Sequence, residues 1–227
     1  MYPDEALMAA LPEISAVLRE AALPPVERDA VLGLVDRIAA KDLLEAQSDY
    51  VALFDGAPSL SLYLFGHVHG DSRERGQAMV DLMEDYRRMG LELASDELPD
   101  FLPVFLEYAS LHPPEEAPAL LGEVAEVVAL LARRLERRGT PYVAVFNAIS
   151  ALGARSADHE AVEARLAEEE PMDTPEALDA RYEETPVNFM EPVAADSPCS
   201  KAAALVEEFS RNLPAAPRQQ HVEEKSS

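Results

Sequence analysis

The sequence predicts an all-α fold, because its composition and its hydrophobic periodicity both indicate helices. The chain has 227 residues, of which 37 are alanine and 29 leucine, against three isoleucines and three threonines. Alanine and leucine lose little conformational freedom in a helix, whereas β-branched residues favour strands. With nine glycines and no tryptophan, a β-sandwich or barrel with many tight turns is not expected.

Three helices are expected at residues 4–21, 25–40 and 42–54. In the first, apolar residues recur at alternating intervals of four and three, which places them on one helical face. Proline suits the first helical turn, so Pro25 is expected to begin the second helix. The inward-facing residues are Leu7, Leu11, Ile14, Leu18 and Ala21, then Val31, Leu34, Val35 and Ile38, then Leu43, Ala46, Tyr50, Leu53 and Phe54.

Residues 59–70 read SLSLYLFGHVHG, in which three leucines, at positions 60, 62 and 64, alternate with other residues. The alternation alone is typical of a strand. Because the flanking segments are helical, we predict a buried helix or a helix with a loop.

Four further helices are expected at residues 72–89, 97–111, 115–138 and 142–152. In the second of these, Asp100 is expected to lie in the first turn, where a carboxylate is favoured by the helix dipole. The third has the clearest apolar stripe of the chain, formed by Leu120, Val124, Val127, Val128, Leu131 and Leu135. It ends in four arginines, which suit the negative end of the dipole: Arg133, Arg134, Arg137 and Arg138.

The composition changes after Ala154. Residues 158–191 hold 12 acidic and two basic residues, a local charge of −10, and the last 74 residues contain no glycine. Charge repulsion and sparse apolar content favour disorder. We therefore expect a helical domain over residues 1–155 and an acidic, proline-rich, partly disordered tail over 156–227. Short helices are expected in this tail at 175–183 and 200–213.

Charge and composition exclude several classes of protein. A formal net charge of −24 opposes binding to a phosphate backbone or to an anionic membrane surface. The longest apolar stretch, residues 139–154, is shorter than the roughly 20 residues of a membrane span. Since the N-terminus also lacks the features of a signal peptide, we expect a cytoplasmic protein.

No catalytic motif is apparent. His67 and His69 lie near Asp71, but imidazoles two residues apart on a helix point to different faces and would share a metal only on a strand. The single cysteine, Cys199, lies in the proline-rich tail, and neither a Walker lysine nor a Rossmann glycine pattern is present. We expect no cofactor and no metal.

Several motifs, read together, resemble the NarJ-type chaperones of respiratory nitrate reductase, also called its delta subunit, within the wider TorD-like family of redox-enzyme maturation proteins. The resemblance spans about residues 1–190. The segments that carry it are Tyr2-Pro3-Asp4, Tyr50-x-x-Leu53-Phe54-Asp55, SLSLYLFGHVHGDSRERGQAMVDL from Ser59, ELPDFLPVFLEYAS from Glu97, and TPEALD from Thr174.

The resemblance implies an all-helical bundle without enzymatic activity. Such proteins bind the N-terminal segment of the catalytic molybdenum subunit in the cytoplasm. They hold it while iron–sulfur and molybdenum cofactors are inserted and before it docks on the membrane subunit. In physical terms, an apolar groove supplies affinity and its carboxylates select basic residues. We expect a monomer or a weak dimer.

The candidate peptide-binding residues follow from the same motifs. They are Glu97, Pro99, Asp100, Phe101 and Glu107, with Tyr50, Phe54, Tyr63 and His67 as candidates for the opposite wall. For Tyr50 and Phe54 the alternative is core packing, and for Tyr63 and His67 the sequence does not decide between the two. The family usually has histidine where this chain has Phe101, so any role of that histidine is not carried over. Two other functions stay open: a small helical metal enzyme that uses His67 and His69, and a general acidic adaptor.

Overall fold

The computed structural model describes residues 2–70, 72–93, 97–168 and Asp179. Contacts between Cα atoms divide the chain into two compact units, Met1–Tyr182 and Glu183–Ser227. The second unit lies outside the described residues, as do the short helix expected at 200–213 and, apart from Asp179, the one expected at 175–183.

The prediction of an all-α fold is confirmed. The described residues form no strand; an isolated antiparallel bridge joins Tyr63 and Phe101. A π-helical turn, Val51–Asp55, follows α3, and a 3-10 turn, Pro58–Leu60, precedes α4. The α-helices are α1 Glu5–Glu20, α2 Pro25–Ala39, α3 Leu43–Tyr50, α4 Leu64–His69, α5 Arg73–Arg88, α6 Leu102–Ser110, α7 Ala117–Glu123, α8 Ala125–Arg137, α9 Val143–Leu152 and α10 His159–Glu168.

Aspartates fix the starts of α1 and α3. Asp4 Oδ1 accepts a hydrogen bond of 2.7 Å from the Leu7 N–H, and Asp42 Oδ1 accepts one of 2.8 Å from the Glu45 N–H. Each carboxylate satisfies an amide that has no partner inside its own helix. The helix α1 packs on α2, which in turn packs on α9.

The core lies around α8 and α9. Val128, Leu131 and Leu135, from the predicted stripe, are almost completely buried in one cluster with Leu60 and Phe146. Burying side chains of this size stabilises the fold by about 1.5–3 kcal/mol each. The single helix expected at 115–138 is two helices in the structure, because the backbone leaves helical geometry at Val124 (φ −101°, ψ 7°).

The sequence analysis missed α10, which lies within the stretch assigned to the tail. Val162 and Leu166, one turn apart on its inner face, are buried against Leu130 of α8. On the outer side, Glu163 pairs with Arg133 at 2.6 Å. The local charge of residues 158–191 did not reveal this helix, because a count of charges averages the two faces of a helix. Only the apolar inner face determines whether the helix can pack on α8.

The segment 59–70 is a loop followed by a helix, as predicted. Residues 61–63 are extended, and the leucines at 60, 62 and 64 are all buried. The alternation in the sequence does not reflect a strand, because Leu60 ends the 3-10 turn, Leu62 lies in the loop and Leu64 begins α4. The packing partner of this extended piece is the segment that precedes α6.

Candidate functional site

Two short segments, residues 61–65 and 97–102, are hydrogen-bonded to each other at the centre of the site. The Leu64 N–H donates to the Asp100 carbonyl at 2.9 Å, and the Leu102 N–H donates to the Leu62 carbonyl at 2.8 Å. These bonds flank the bridge between Tyr63 and Phe101. They place side chains from two distant motifs of the sequence next to each other.

Asp100 has a different role from the one predicted. The helix α6 begins at Leu102 and not at residue 97, so Asp100 lies before it and not in its first turn. The Asp100 carboxylate instead accepts a hydrogen bond of 3.0 Å from the Phe65 N–H, in the first turn of α4. The prediction was wrong because a carboxylate can accept from the free amides at the start of any helix that lies near it. The spacing of residues in the sequence did not reveal that α4 lies next to Asp100.

Asp100 and Pro99 hold the segment in place and are closed to solvent. Asp100 is 0% exposed, and its Oδ1 has no hydrogen-bond partner among the described residues. Pro99 is also buried, and its carbonyl accepts a hydrogen bond of 2.7 Å from the Tyr86 hydroxyl of α5. Neither side chain can touch a peptide in this conformation, so both are positioning residues here.

Tyr63, Glu97 and Phe101 form the half-buried surface of the site, which we call the Tyr63 site. The Tyr63 hydroxyl donates to Glu97 Oε2 at 2.6 Å, and the rings of Tyr63 and Phe101 are tilted at 37° with centroids 5.2 Å apart. The hydrogen bond to Glu97, with burial, raises the pKa of Tyr63 to about 12. Tyr63 thus lies beside Glu97 and Phe101.

Tyr50 and Phe54 belong to a neighbouring aromatic cluster. Their ring centroids are 4.8 Å apart, and Tyr142 contacts Phe54 at 5.3 Å. Tyr50 is buried, in agreement with the core-packing alternative, whereas Phe54 is half-buried. Burial, followed by the charge of Asp55, raises the pKa of Tyr50 to about 12.

His67 lies beneath the site and not on its surface. Its Nδ1 is 3.2 Å from Arg134 Nη1, and its Nε2 is 2.7 Å from the Ser61 carbonyl. A guanidinium can only donate, so Nδ1 accepts and the Nε2–H donates to Ser61. Arg134 is itself buried and also donates to the Ser59 carbonyl at 2.5 Å. His67 is therefore enclosed in this structure, and its place in a peptide-binding wall stays a prediction.

The two histidines do not converge on a metal site. The His69 ring packs edge-on against Phe65, and its Nδ1 is 3.8 Å from Glu74. Within the residues that the structure describes, no three His, Cys, Asp or Glu side chains are grouped so that they could hold a metal ion.

Glu107 is separate from the other candidates. It lies on the exposed side of α6, opposite the buried face formed by Leu102, Phe105, Tyr108 and Ala109. Its side chain makes no hydrogen bond or ion pair with the rest of the described chain. The structure therefore unites Tyr63, Glu97 and Phe101, places Tyr50 and Phe54 nearby, and leaves Glu107 outside.

Sequence reasoning missed Tyr142, Asp55 and Arg134. Asp55 belongs to the same sequence motif as Tyr50 and Phe54 but was not proposed as a binding residue. Tyr142 begins a predicted helix, and nothing in its local pattern links it to Tyr50. Arg134 could have been found, because it falls three residues after Leu131 and seven after Val127 and so lies on the apolar stripe of α8.

The raised tyrosine pKa values predict how stability depends on pH. The ordinary pKa of tyrosine is about 10, so the unfolded chain ionises first. The resulting stabilisation is complete below about pH 10 and is lost as the pH rises through about 12. Urea unfolding at about pH 9 and pH 11.5 should show a clear fall in the free energy of unfolding. The fall should be smaller in Tyr63→Phe; an equal fall in the variant would contradict the role given to Tyr63.

The comparisons with known proteins agree with the motifs. The model of the family described as "Nitrate reductase delta subunit" matches residues 4–148, more than half of the chain. The chain belongs to the nitrate reductase delta subunit family. It is accordingly an assembly chaperone of the NarJ type and not an enzyme.

Three relatives show how far the similarity extends. The chain is 41% identical over 203 residues to the nitrate reductase molybdenum cofactor assembly chaperone NarJ of Escherichia coli, covering 89% of this chain and 84% of that protein. It is 39% identical to the probable chaperone NarW of the same organism, covering 93% and 89%. With the probable NarJ chaperone of Bacillus subtilis it shares 29% identity, covering 72% and 90%. Among the described residues, no helix is both long and apolar enough to cross a membrane.

Proposed function

We propose that this protein is a cytoplasmic chaperone for the catalytic subunit of nitrate reductase. It binds the N-terminal segment of that subunit and holds it while the molybdenum cofactor and iron–sulfur clusters are inserted, before the subunit docks on the membrane. The names of the relatives at 41% and 39% identity support the role in molybdenum cofactor assembly. Two points go further than these names: that the N-terminal segment is the part that is bound, and that iron–sulfur clusters are inserted at the same stage.

The observation that most favours a peptide partner is the Tyr63 site itself. It combines two half-buried aromatic rings with the carboxylate of Glu97, whose position is fixed by the 2.6 Å hydrogen bond from Tyr63. The underlying backbone is held by α4 through Asp100 and by α5 through Tyr86. A surface that is already ordered loses little conformational entropy when it binds, so its apolar contacts contribute more fully to affinity.

Charge complementarity defines the kind of segment. The chain carries a formal net charge of −24, and a carboxylate lies within the Tyr63 site. A basic amphipathic segment would place apolar side chains on the rings of Tyr63 and Phe101 and a cation near Glu97.

Calorimetric titration tests this function. The full-length protein is titrated with the N-terminal peptide of the nitrate reductase catalytic subunit and with a scrambled peptide of equal charge. We expect a dissociation constant around micromolar or tighter, about −8 kcal/mol, for the native peptide alone. Glu97→Gln should weaken binding, whereas Glu107→Gln, a matched change on the far side of α6, should not.

The alternative of a general acidic adaptor gives a different result. Such a surface would bind both peptides equally, and its affinity would disappear with salt, because exposed charges are screened within about 8–10 Å at moderate ionic strength. Equal binding of the native and the scrambled peptide would therefore contradict the proposal that this protein has a dedicated client.

A further inference from the structure

An aromatic strip joins the first residues of the chain to α3, the π-helical turn and the start of α9. It consists of Tyr2, Tyr50, Phe54 and Tyr142. Tyr50 is its centre, since the Tyr2 ring meets the Tyr50 ring edge-on at 5.8 Å and the Tyr142 ring lies 6.4 Å away. Tyr2 and Tyr142 are the members that the sequence did not place among the candidate peptide-binding residues.

The exposed end of this strip is firmly anchored. Pro3 is fully buried, and its carbonyl accepts a hydrogen bond of 2.9 Å from Gln47 Nε2 of α3. Asp4 is fixed in turn as the N-cap of α1. Tyr2 nevertheless keeps 47% of its surface exposed. A ring that is held in place yet open to solvent is ready to contact a partner without a large entropic cost.

The π-helical turn shapes the middle of the strip. The Gly56 N–H donates to the Val51 carbonyl, five residues back, at 3.0 Å. A Cβ atom at position 56 would lie 3.2 Å from the Ala52 carbonyl oxygen, so this close turn favours glycine. The turn presents half-buried Phe54 and exposed Asp55 side by side. Turns of this kind occur frequently at functional sites.

Asp55 gives the strip its charge. Asp49, which also lies near Tyr142, is paired with Lys41. Asp55 directly follows Phe54 in the π-helical turn and, within the described part of the chain, makes no ion pair with a cation. Its charge also contributes to the raised pKa of Tyr50. Aromatic rings beside an unpaired carboxylate favour a cation, because the ring face attracts it within about 6 Å and the carboxylate adds a Coulomb attraction.

We propose that the aromatic strip and Asp55 form a second half of the client site, which binds a lysine or arginine side chain of the client segment. Tyr2 and Tyr142 are contact residues of this half, and the anchored residues 2–4 form its outer wall. The partner is a basic amphipathic peptide, which the charge of Asp55 and the apolar rings complement. This inference rests on the proposed function and assigns the recognition of one cation to specific residues.

Paired titrations test the assignment. The client peptide is compared with a version in which its lysines and arginines are replaced by norleucine, against the full-length protein and against Tyr2→Leu and Asp55→Asn. Tyr2→Leu keeps apolar bulk but removes the ring, and Asp55→Asn changes only charge at an exposed position. Asp29→Asn, an exposed carboxylate on α2, is the matched control.

We expect Tyr2→Leu and Asp55→Asn each to weaken binding of the native peptide about five- to tenfold, and to change binding of the norleucine peptide less than about twofold. Asp29→Asn should match the wild type with both peptides. The inference is overturned if the two variants bind the native peptide like the wild type, or if they lose affinity equally for both peptides. Failure of the wild type to bind the native peptide would instead overturn the proposed function, and this inference with it.

Discussion

Arg134→Ala is expected to lower the free energy of unfolding by about 3 kcal/mol or more. Arg134 is 8% exposed, and its guanidinium joins α8 to the 3-10 turn through the Ser59 carbonyl and to α4 through His67 Nδ1. Removing it leaves both acceptors buried without this donor, and each unsatisfied group costs about 1–3 kcal/mol. Alanine also leaves a cavity beside the leucine core of α8.

The measurement is chemical denaturation of Arg134→Ala beside Arg133→Ala. Arg133 is the neighbouring residue on the same helix, but it is exposed and its ion pairs with Glu136 and Glu163 lie at the surface. Such pairs contribute about 0–1 kcal/mol. The melting temperature should fall by about 6–12 °C in the first variant and by less than about 4 °C in the second. Similar losses in both would show that the buried position of Arg134 has no special importance.

Asp100→Ala is expected to reduce both stability and client binding. Without its carboxylate the Phe65 N–H at the start of α4 loses its acceptor, which should cost about 2 kcal/mol. The segment 97–101 would also lose a bond that orients Glu97 and Phe101. We therefore expect the affinity for the client peptide to fall at least tenfold, although the Asp100 side chain itself is closed to solvent.

Asp100→Asn separates the capping role from a charge role. An asparagine oxygen can still accept the Phe65 N–H, so this variant should keep most of its stability and its peptide affinity. If Asp100→Asn binds as poorly as Asp100→Ala while remaining folded, the negative charge is what matters. The conclusion that Asp100 acts by positioning would then be wrong.

The helices could be predicted wherever the determining interactions are local. Asp4 and Asp42 cap helices that begin immediately after them, and the apolar spacing of α1 and α2 gave their bounds to within two residues. The prediction of helices failed where the start or the packing of a helix depends on residues that are distant in the sequence. The start of α6 depends on the pairing of residues 61–65 with 97–102, and α10 packs because Leu130 of α8 offers a place for Val162.

The same distinction applies to the candidate site. The sequence motifs brought Tyr63, Glu97 and Phe101 into one prediction, and the structure places these three together. Burial could not be read from spacing alone, so His67 and Asp100 were expected to face a peptide although both are enclosed. Tyr142 was missed because its contact with Phe54 joins elements almost ninety residues apart in the sequence.

Amide hydrogen exchange with and without the client peptide tests the central claim most directly. The peptide should slow exchange in residues 51–63 and 97–101, which contain the Tyr63 site and the middle of the aromatic strip. A separate cleft of about 470 Å³ between α1 and α2, lined by Met8, Leu11, Pro12, Ser15, Arg19, Val35, Asp36 and Ala39, offers an internal comparison. The amide exchange of the residues that line this cleft should stay unchanged when the peptide is added. Slower exchange along this cleft, with none in 51–63 and 97–101, would contradict the account and place the client site between α1 and α2.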